Sequence, residues 1–216
     1  MVSSPPSTLD RFQRQLLEAF FRREQRFFLT GGAALAGFHL GHRKTHDLDL
    51  FTVEGALEEG VSTLGEVASH LGAALEALRT APDFRRFLVR RGSESVVVDL
   101  VLDRAPQLAD KLRFGSIRVD SPEEILANKL CALLSRAELR DLVDVRALEH
   151  AGYRVEDSLD PASQKDGGLT PGQLAWVLSE IRIGDDAEPP GVSVPELREY
   201  LEDLAGRLTR LAFPSE

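Results

Sequence analysis

Two carboxylates alternate with leucines in Asp47-Leu48-Asp49-Leu50-Phe51, about a dozen residues after the glycine pair Gly31-Gly32. Alternation at period two is a strand pattern, with Asp47 and Asp49 on one face and the leucines on the other. Two neighbouring acids repel unless a cation sits between them. A hard divalent ion answers that need, and Mg²⁺ binds through one or two carboxylates together with the phosphates of a substrate. Gly31 and Gly32 supply bare backbone N–H groups at the start of a short helix, a ready phosphate site. One segment therefore pairs a phosphate cradle with a metal clamp.

A third acid would complete the clamp. Asp99 is the first candidate, a lone charge in the apolar run Val96-Val97-Val98-Asp99-Leu100-Val101, where a charge is rare unless paired. Asp103 shares its face and is the alternative. Three acids around Mg²⁺ beside a phosphate cradle suit nucleotidyl transfer, with Asp99 nearest the incoming hydroxyl and able to act as general base. Lys129 falls inside the apolar arc of Ile125, Leu126, Leu130, Leu133 and Leu134, so it must either carry its charge outward or reach a buried anion. Nucleotide phosphate is one such anion. Arg140, Asp141 and Asp144 share another helix face, and Arg140–Asp144 at i,i+4 also reads as an ordinary surface ion pair. His42 and His46 do not make a zinc site. Cys131 reads as a small helix residue without chemistry, and Trp176 as core.

The elements that must position these side chains follow from periodicity. Residues 9–26 read as an amphipathic helix and Phe27 to Thr30 as a strand ending at the glycines. Ala33 to Leu40 reads as a helix stopped by Gly41, and Asp47 to Val53 as the acidic strand. Residues 55–79 read as helix. Phe84 to Arg91 and Val96 to Leu102 read as a hairpin, and Gly115 to Val119 as a further strand. From Ser121-Pro122-Glu123-Glu124, a cap followed by proline at N1, helices are predicted at about 122–135, 139–150, 171–182 and 195–211. Residues 154–169 and 183–193 read as loops. The expectation is α+β: residues 1–120 as a small mixed sheet with flanking helices, and 121–216 as a helical domain.

Bulk properties narrow the class. At 216 residues and 43% hydrophobic the chain can bury a real core, and its one cysteine excludes an internal disulfide framework. The polar, proline-bearing start, Met1 to Asp10, does not resemble a signal peptide. No apolar run reaches the roughly 18 residues of a membrane span, so the expected location is the cytoplasm. The net charge of −9 is uneven: residues 1–118 hold 16 Lys+Arg against 15 Asp+Glu, and residues 119–216 hold 10 against 20. Cations gather at Arg22–Arg26, at Arg43–Lys44 and at Arg85, Arg86, Arg90 and Arg91. They read either as solvated faces or as a rim for a polyanionic substrate.

Together, Leu29-Thr30-Gly31-Gly32-Ala33-Ala34-Leu35, Arg43 to Phe51, Lys129 and Arg140-Asp141-Leu142-Val143-Asp144 resemble the motifs of the AbiEii/AbiGii toxin family, within the DNA-polymerase-β-like nucleotidyltransferases. The likeness spans about residues 27–150. It implies the nucleotidyltransferase fold and a Mg²⁺-dependent transfer of a nucleoside monophosphate from an NTP. It implies catalytic and metal roles for Asp47, Asp49 and Asp99, with Lys129 catalytic. Nucleotide contacts are implied for Gly31, Gly32, Arg43, Thr45, Lys129, Arg140, Asp141 and Asp144, so that the helical domain completes the nucleotide site. It further implies a toxin acting on tRNA and a cognate antitoxin partner. Gly32 stands where many of these enzymes have serine. An antibiotic nucleotidyltransferase and an inactive binding module of this fold are the alternative expectations.

Overall fold

A computed structural model describes residues 8–214. Residues 1–7 of the polar start, read as no signal peptide, lie outside the described residues. The chain divides into two compact units, Met1–Arg104 with Ala109–Ser121, and Ala105–Leu108 with Pro122–Glu216.

The first unit is built on a mixed sheet. Helix α1 (Arg11–Phe21) begins at Asp10, whose carboxylate accepts the Gln13 N–H while the Gln13 side chain accepts the Asp10 N–H; both orphan donors are met reciprocally. Strand β1 (Phe27–Thr30) turns directly into a short helix α2 (Gly31–Ala34) and a π-helical turn, Leu35–His39. Next come β2 (Asp47–Thr52), helix α3 (Leu57–His70), and strands β3 (Ala74–Ala81), β4 (Phe84–Arg91), β5 (Glu94–Leu102), β6 (Leu112–Phe114) and β7 (Ile117–Val119). Among the described residues the strands lie in the order β3-β4-β5-β2-β1-β7-β6. The β2–β5 and β1–β7 pairs are parallel and the rest antiparallel.

Strand parity divides the sheet into two faces. Phe27, Leu29, Leu48, Leu50, Val98 and Leu100 point one way and are buried. Phe12, Leu16, Leu17, Phe20 and Phe21 bring α1 into the same core, with the Phe20 and Phe27 rings edge-on at 5.5 Å. Helix α3 packs closely because Gly60 lies against the Phe27 ring: a Cβ there would be 2.4 Å from it. The opposite face carries Asp47, Asp49 and Asp99.

The second unit is helical: α4 (Pro122–Arg136), α5 (Leu139–His150), α6 (Val155–Lys165), α7 (Pro171–Glu180) and α8 (Val194–Ala212). The α+β expectation therefore holds, with three local corrections. Residues 74–81 are a strand, not the end of a helix: Gly72 at φ +66° stops α3, and pairing with β4 overrides the helix propensity of Ala-Leu-Glu-Ala-Leu-Arg. Residues 155–165, read as loop, form α6 despite Pro161 inside it, because Val155, Leu159 and Ala162 are buried along one stripe. Trp176, read as core, is 66% exposed.

Ion pairs, not only apolar contacts, hold this unit. Glu124 is fully buried, pairs with Lys165 of α6 and accepts the Leu108 N–H at 2.8 Å. Lys129, whose side chain is 7% exposed, lies 2.7 Å from Asp141 Oδ1 and 2.6 Å from Asp144 Oδ2, both fully buried. Lys129 thus reaches a buried anion, and the anions are the chain's own. Arg136 adds a second cation on Asp141 at 2.8 Å. Burial works against the Asp141 charge, but Lys129 and Arg136 outweigh it and hold the carboxyl below its usual range.

Removing one partner of such a cluster strands the other charges. Lys129→Met should therefore lose about 3–5 kcal/mol in urea unfolding at neutral pH. A carboxyl whose folded pKa is depressed contributes stability above its unfolded pKa, about 3.9, and loses it as pH falls through the lower folded value. In Lys129→Met the buried Asp141 keeps only Arg136 of its two cations and takes up a proton more readily. The deficit should then shrink between pH 7 and pH 5; one that stays constant over that range would show that Asp141 and Asp144 do not depend on Lys129.

Candidate active site

The acid face is organised by strand register. Asp49 pairs with Asp99 across the parallel β2–β5 ladder, with Thr30 on its other side in β1, and Asp99 pairs with Arg86 on β4. One row across four strands therefore reads Arg86, Asp99, Asp49, Thr30. Asp47 stands two residues along β2 on the same face. Neighbouring strands lie about 4.8 Å apart, so three carboxylates share a small area.

A guanidinium meets Asp99. Arg86 grips Asp99 with two parallel hydrogen bonds, Nε to Oδ1 at 2.8 Å and Nη2 to Oδ2 at 2.6 Å, the fork geometry that makes arginine–carboxylate pairs strong. The hydrogen bond to Asp99 raises the guanidinium above its ordinary value against the cost of burial, and the charges of Asp99, Asp47 and Asp49 add to it. The Asp99 side chain is 7% exposed and that of Arg86 42%.

The glycines are positioned by the same row. Gly31 sits at φ +64°, and a Cβ there would fall 2.3 Å from Asp49 Oδ2. The position therefore demands glycine twice, for the left-handed backbone and for room beside the acid. A Cβ on Gly32 would fall 2.5 Å from Nη2 of Arg43, so the arginine lies over that glycine's backbone in the space a serine would need. Thr45 is buried, and its carbonyl accepts from Nε2 of the buried Gln13 of α1 at 3.0 Å. These contacts fix the turn between the glycine helix and β2. Only four α-helical residues follow Thr30 before the π-turn, so the cradle rests on loop and backbone rather than on a long helix.

The cationic cluster of β4 is split by parity. Arg85 pairs with Glu58 of α3, and the Arg91 guanidinium stacks 4.3 Å from the centre of the Phe12 ring of α1. Arg86 and Arg90 take the acid face, where Arg79 of β3 lies directly opposite Arg86. Phe84 stands 5.5 Å from the Arg86 guanidinium and 5.8 Å from that of Arg79. Arg86 is the residue that sequence reasoning missed as part of the site, although alternation along Phe-Arg-Arg-Phe-Leu-Val-Arg-Arg carried the signal.

Of the remaining sequence candidates, Lys129, Asp141 and Asp144 form the buried cluster of the helical unit. The reading of Arg140–Asp144 as a surface pair is corrected: Asp144 is fully buried, and Arg140 lies 2.6 Å from Glu138. The residues of the acid face fit a divalent ion held by Asp47 and Asp49 with substrate phosphates. They do not present three ready ligands. Both oxygens of Asp99 are engaged by Arg86, and among the described residues no three His, Cys, Asp or Glu side chains are grouped to hold a metal.

Comparison with known proteins bears on what this face does. The fold is similar to the crystal structure of JHP933 from Helicobacter pylori, with a TM-score of 0.61, 19% identity, and 92% of this chain and 89% of that one covered. It is also similar to a nucleotidyltransferase candidate from H. pylori, with a TM-score of 0.60, 19% identity and 94% of both chains covered. At that identity the likeness shows the nucleotidyltransferase fold. No curated protein matches the chain. The model of the AbiEii nucleotidyl transferase toxins, described as belonging to a type IV toxin–antitoxin system, matches residues 15–162, which include the acid row, the glycine pair and the Lys129 cluster. The chain is a member of the AbiEii nucleotidyl transferase toxin family.

Proposed function

We propose that this protein transfers a nucleoside monophosphate from an NTP to a hydroxyl at the end of an RNA, with tRNA as the acceptor, in a Mg²⁺-dependent reaction in the cytoplasm. It is the toxin of a pair whose other member is an antitoxin protein. The observation that carries this reading is the row that sets Asp49 beside Asp99 with Asp47 on the same face, next to the Gly31 backbone. Asp47 and Asp49 would hold Mg²⁺, joined by Asp99, and the ion would supply charge neutralisation on the triphosphate and polarise the α-phosphorus. Gly31, Gly32 and Arg43 offer backbone and guanidinium donors to the phosphates, and Thr45 holds the approach to β2. The acceptor oxygen bonds to the α-phosphorus, the bond to the bridging oxygen breaks, and pyrophosphate leaves. The acceptor proton passes to a carboxylate oxygen of Asp99. A phosphate contact by Lys129 would first require it to exchange one of its two buried carboxylates, with Arg140 as an exposed neighbour.

The deciding experiment supplies purified protein, Mg²⁺ and each labelled NTP with total tRNA, a protein lysate, or an aminoglycoside and lincosamide panel. Label on tRNA is expected, falling with salt at a log–log slope of about −0.7 per neutralised phosphate on a single strand. Arg79→Glu and Arg90→Glu, on the acid face, should weaken it more than Arg85→Glu, which faces α3. Label on a drug would overturn the RNA reading in favour of antibiotic modification. No label anywhere, with no NTP binding, would reduce the protein to a binding module.

Asp49→Asn should abolish the rise in melting temperature that Mg²⁺–NTP gives the native protein, a rise equivalent to roughly 2.7 kcal/mol at 100 times Kd. Gly31→Ala should lower the melting temperature and also abolish that shift, because its Cβ displaces the Asp49 carboxylate. A Gly31→Ala protein that binds Mg²⁺–NTP normally would remove the glycine turn from the site.

A further inference from the structure

We infer that Arg86 is a built-in counter-ion of the acid site, which a divalent cation must displace from Asp99 before Asp99 can serve as a metal ligand or base. The inference rests on the reading of Asp47, Asp49 and Asp99 as the metal-binding acids, and it assigns a positioning residue to that site.

A carboxylate has two oxygens, and both of Asp99 accept from one guanidinium at 2.8 and 2.6 Å. A hard cation needs at least one of them. Guanidinium and metal therefore compete for the same atoms. Strand register stacks Asp49 against Asp99 with Asp47 beside them, and the charges of all three act on Arg86. Carboxylates set this close repel one another, and the Arg86 guanidinium offsets the charge of Asp99 from within the chain.

Displacement also has somewhere to go. The Arg86 side chain is 42% exposed, so it can leave Asp99 without entering the core. Its guanidinium already lies 5.5 Å from the centre of the Phe84 ring, an alternative place for a cation. Arg79 lies directly opposite on β3 and within 5.8 Å of the same ring. Among the described residues Arg79 has no carboxylate partner. Like charges directly opposite in an antiparallel pair repel, and the Asp99 contact holds Arg86 toward the acids. Once Arg86 leaves Asp99, the two guanidiniums stand together beside the acids, a place where a phosphate oxygen of the substrate can bridge them. Metal and phosphate would then arrive as one event, with Asp99 released as Arg86 turns to the phosphate.

The test measures Mn²⁺ binding to the nucleotide-free full chain by calorimetry and by the loss of the free-ion signal in electron paramagnetic resonance. Arg86→Ala should bind Mn²⁺ more tightly than the native protein, on the order of tenfold or more, the change expected when a charge-assisted pair is lost from the competing state. Its melting temperature without metal should fall, and the rise on adding Mn²⁺ should exceed that of the native protein. Arg79→Ala removes an equal charge across the strand without touching Asp99, and separates competition from a general field effect; its Mn²⁺ affinity should change by much less. Should Arg86→Ala fold poorly, Arg86→Lys keeps the charge but loses the fork and should give an intermediate gain. Asp99→Asn in the Arg86→Ala background should erase the gain. Equal affinity in native and Arg86→Ala protein, weaker binding in Arg86→Ala, or equal gains from Arg86→Ala and Arg79→Ala would each overturn the inference while leaving the metal reading intact. Absence of Mn²⁺ binding in every variant, native protein included, would overturn both.

Discussion

The parallel pairing of β2 with β5 is the constraint from which the acid face follows. In that register Asp49 meets Asp99, and every residue two positions along either strand falls on the same face. A slip of one residue would turn Asp99 toward the side where Phe12, Phe20 and Phe27 are packed. There an unpaired carboxylate would cost several kcal/mol even after relaxation. Core packing and site geometry therefore enforce the same register. Leu48, Leu50, Val98 and Leu100 are fully buried against α1 and α3, and burying them fixes where the carboxylates stand.

The same alternation explains why a run of four arginines around a single strand does two jobs. Arg85 and Arg91 lie on the core side and reach over its rim, one to a glutamate of α3 and one to a phenylalanine of α1. They tie helices to the sheet through packed stems and a cation–π contact. Arg86 and Arg90 belong to the acid face. A view of the chain as charge density alone, with a near-neutral first half and an acidic second, misses this partition, because parity rather than proximity in sequence decides which arginine meets which partner.

What could be read from the residues, and what could not, divides along the same physical line. The strand Phe27–Thr30, the helix Leu139–His150 and the shared face of Asp47 and Asp49 were legible because local periodicity and caps agree with the tertiary structure. β3 was not, because Ala-Leu-Glu-Ala-Leu-Arg favours helix and only its pairing with β4 makes it a strand. α6 was not, since a polar segment with an internal proline shows its buried stripe only against α4, where Lys165 also meets Glu124. The bidentate hold of Arg86 on Asp99 joins residues thirteen apart on different strands. No spacing rule announces it, although parity restricted the choice to Arg86 or Arg90. Lys129 was legible as a charge in an apolar arc that needed an anion. Which anion it meets depends on how α4 lies on α5.

The clusters around Lys129 and around Asp99 stand under opposite conditions, and exposure separates what each can do. Around Lys129 the ammonium is 7% exposed and its two carboxylates not at all. Any ligand that reaches it must break buried ion pairs whose loss is expensive, about 3–5 kcal/mol for removal of a partner. Around Asp99 the carboxylate side chain is 7% exposed, but its cation is 42% exposed. Water can solvate that guanidinium as it leaves, so exchanging it costs far less than stripping a buried lysine. Desolvation makes the first cluster a fixture of the helical fold and leaves the second open to exchange. A site that must take up and release a charged substrate needs the second kind of cluster, and the row from Arg86 to Thr30 has it on the face where the glycine turn brings Gly31 against Asp49.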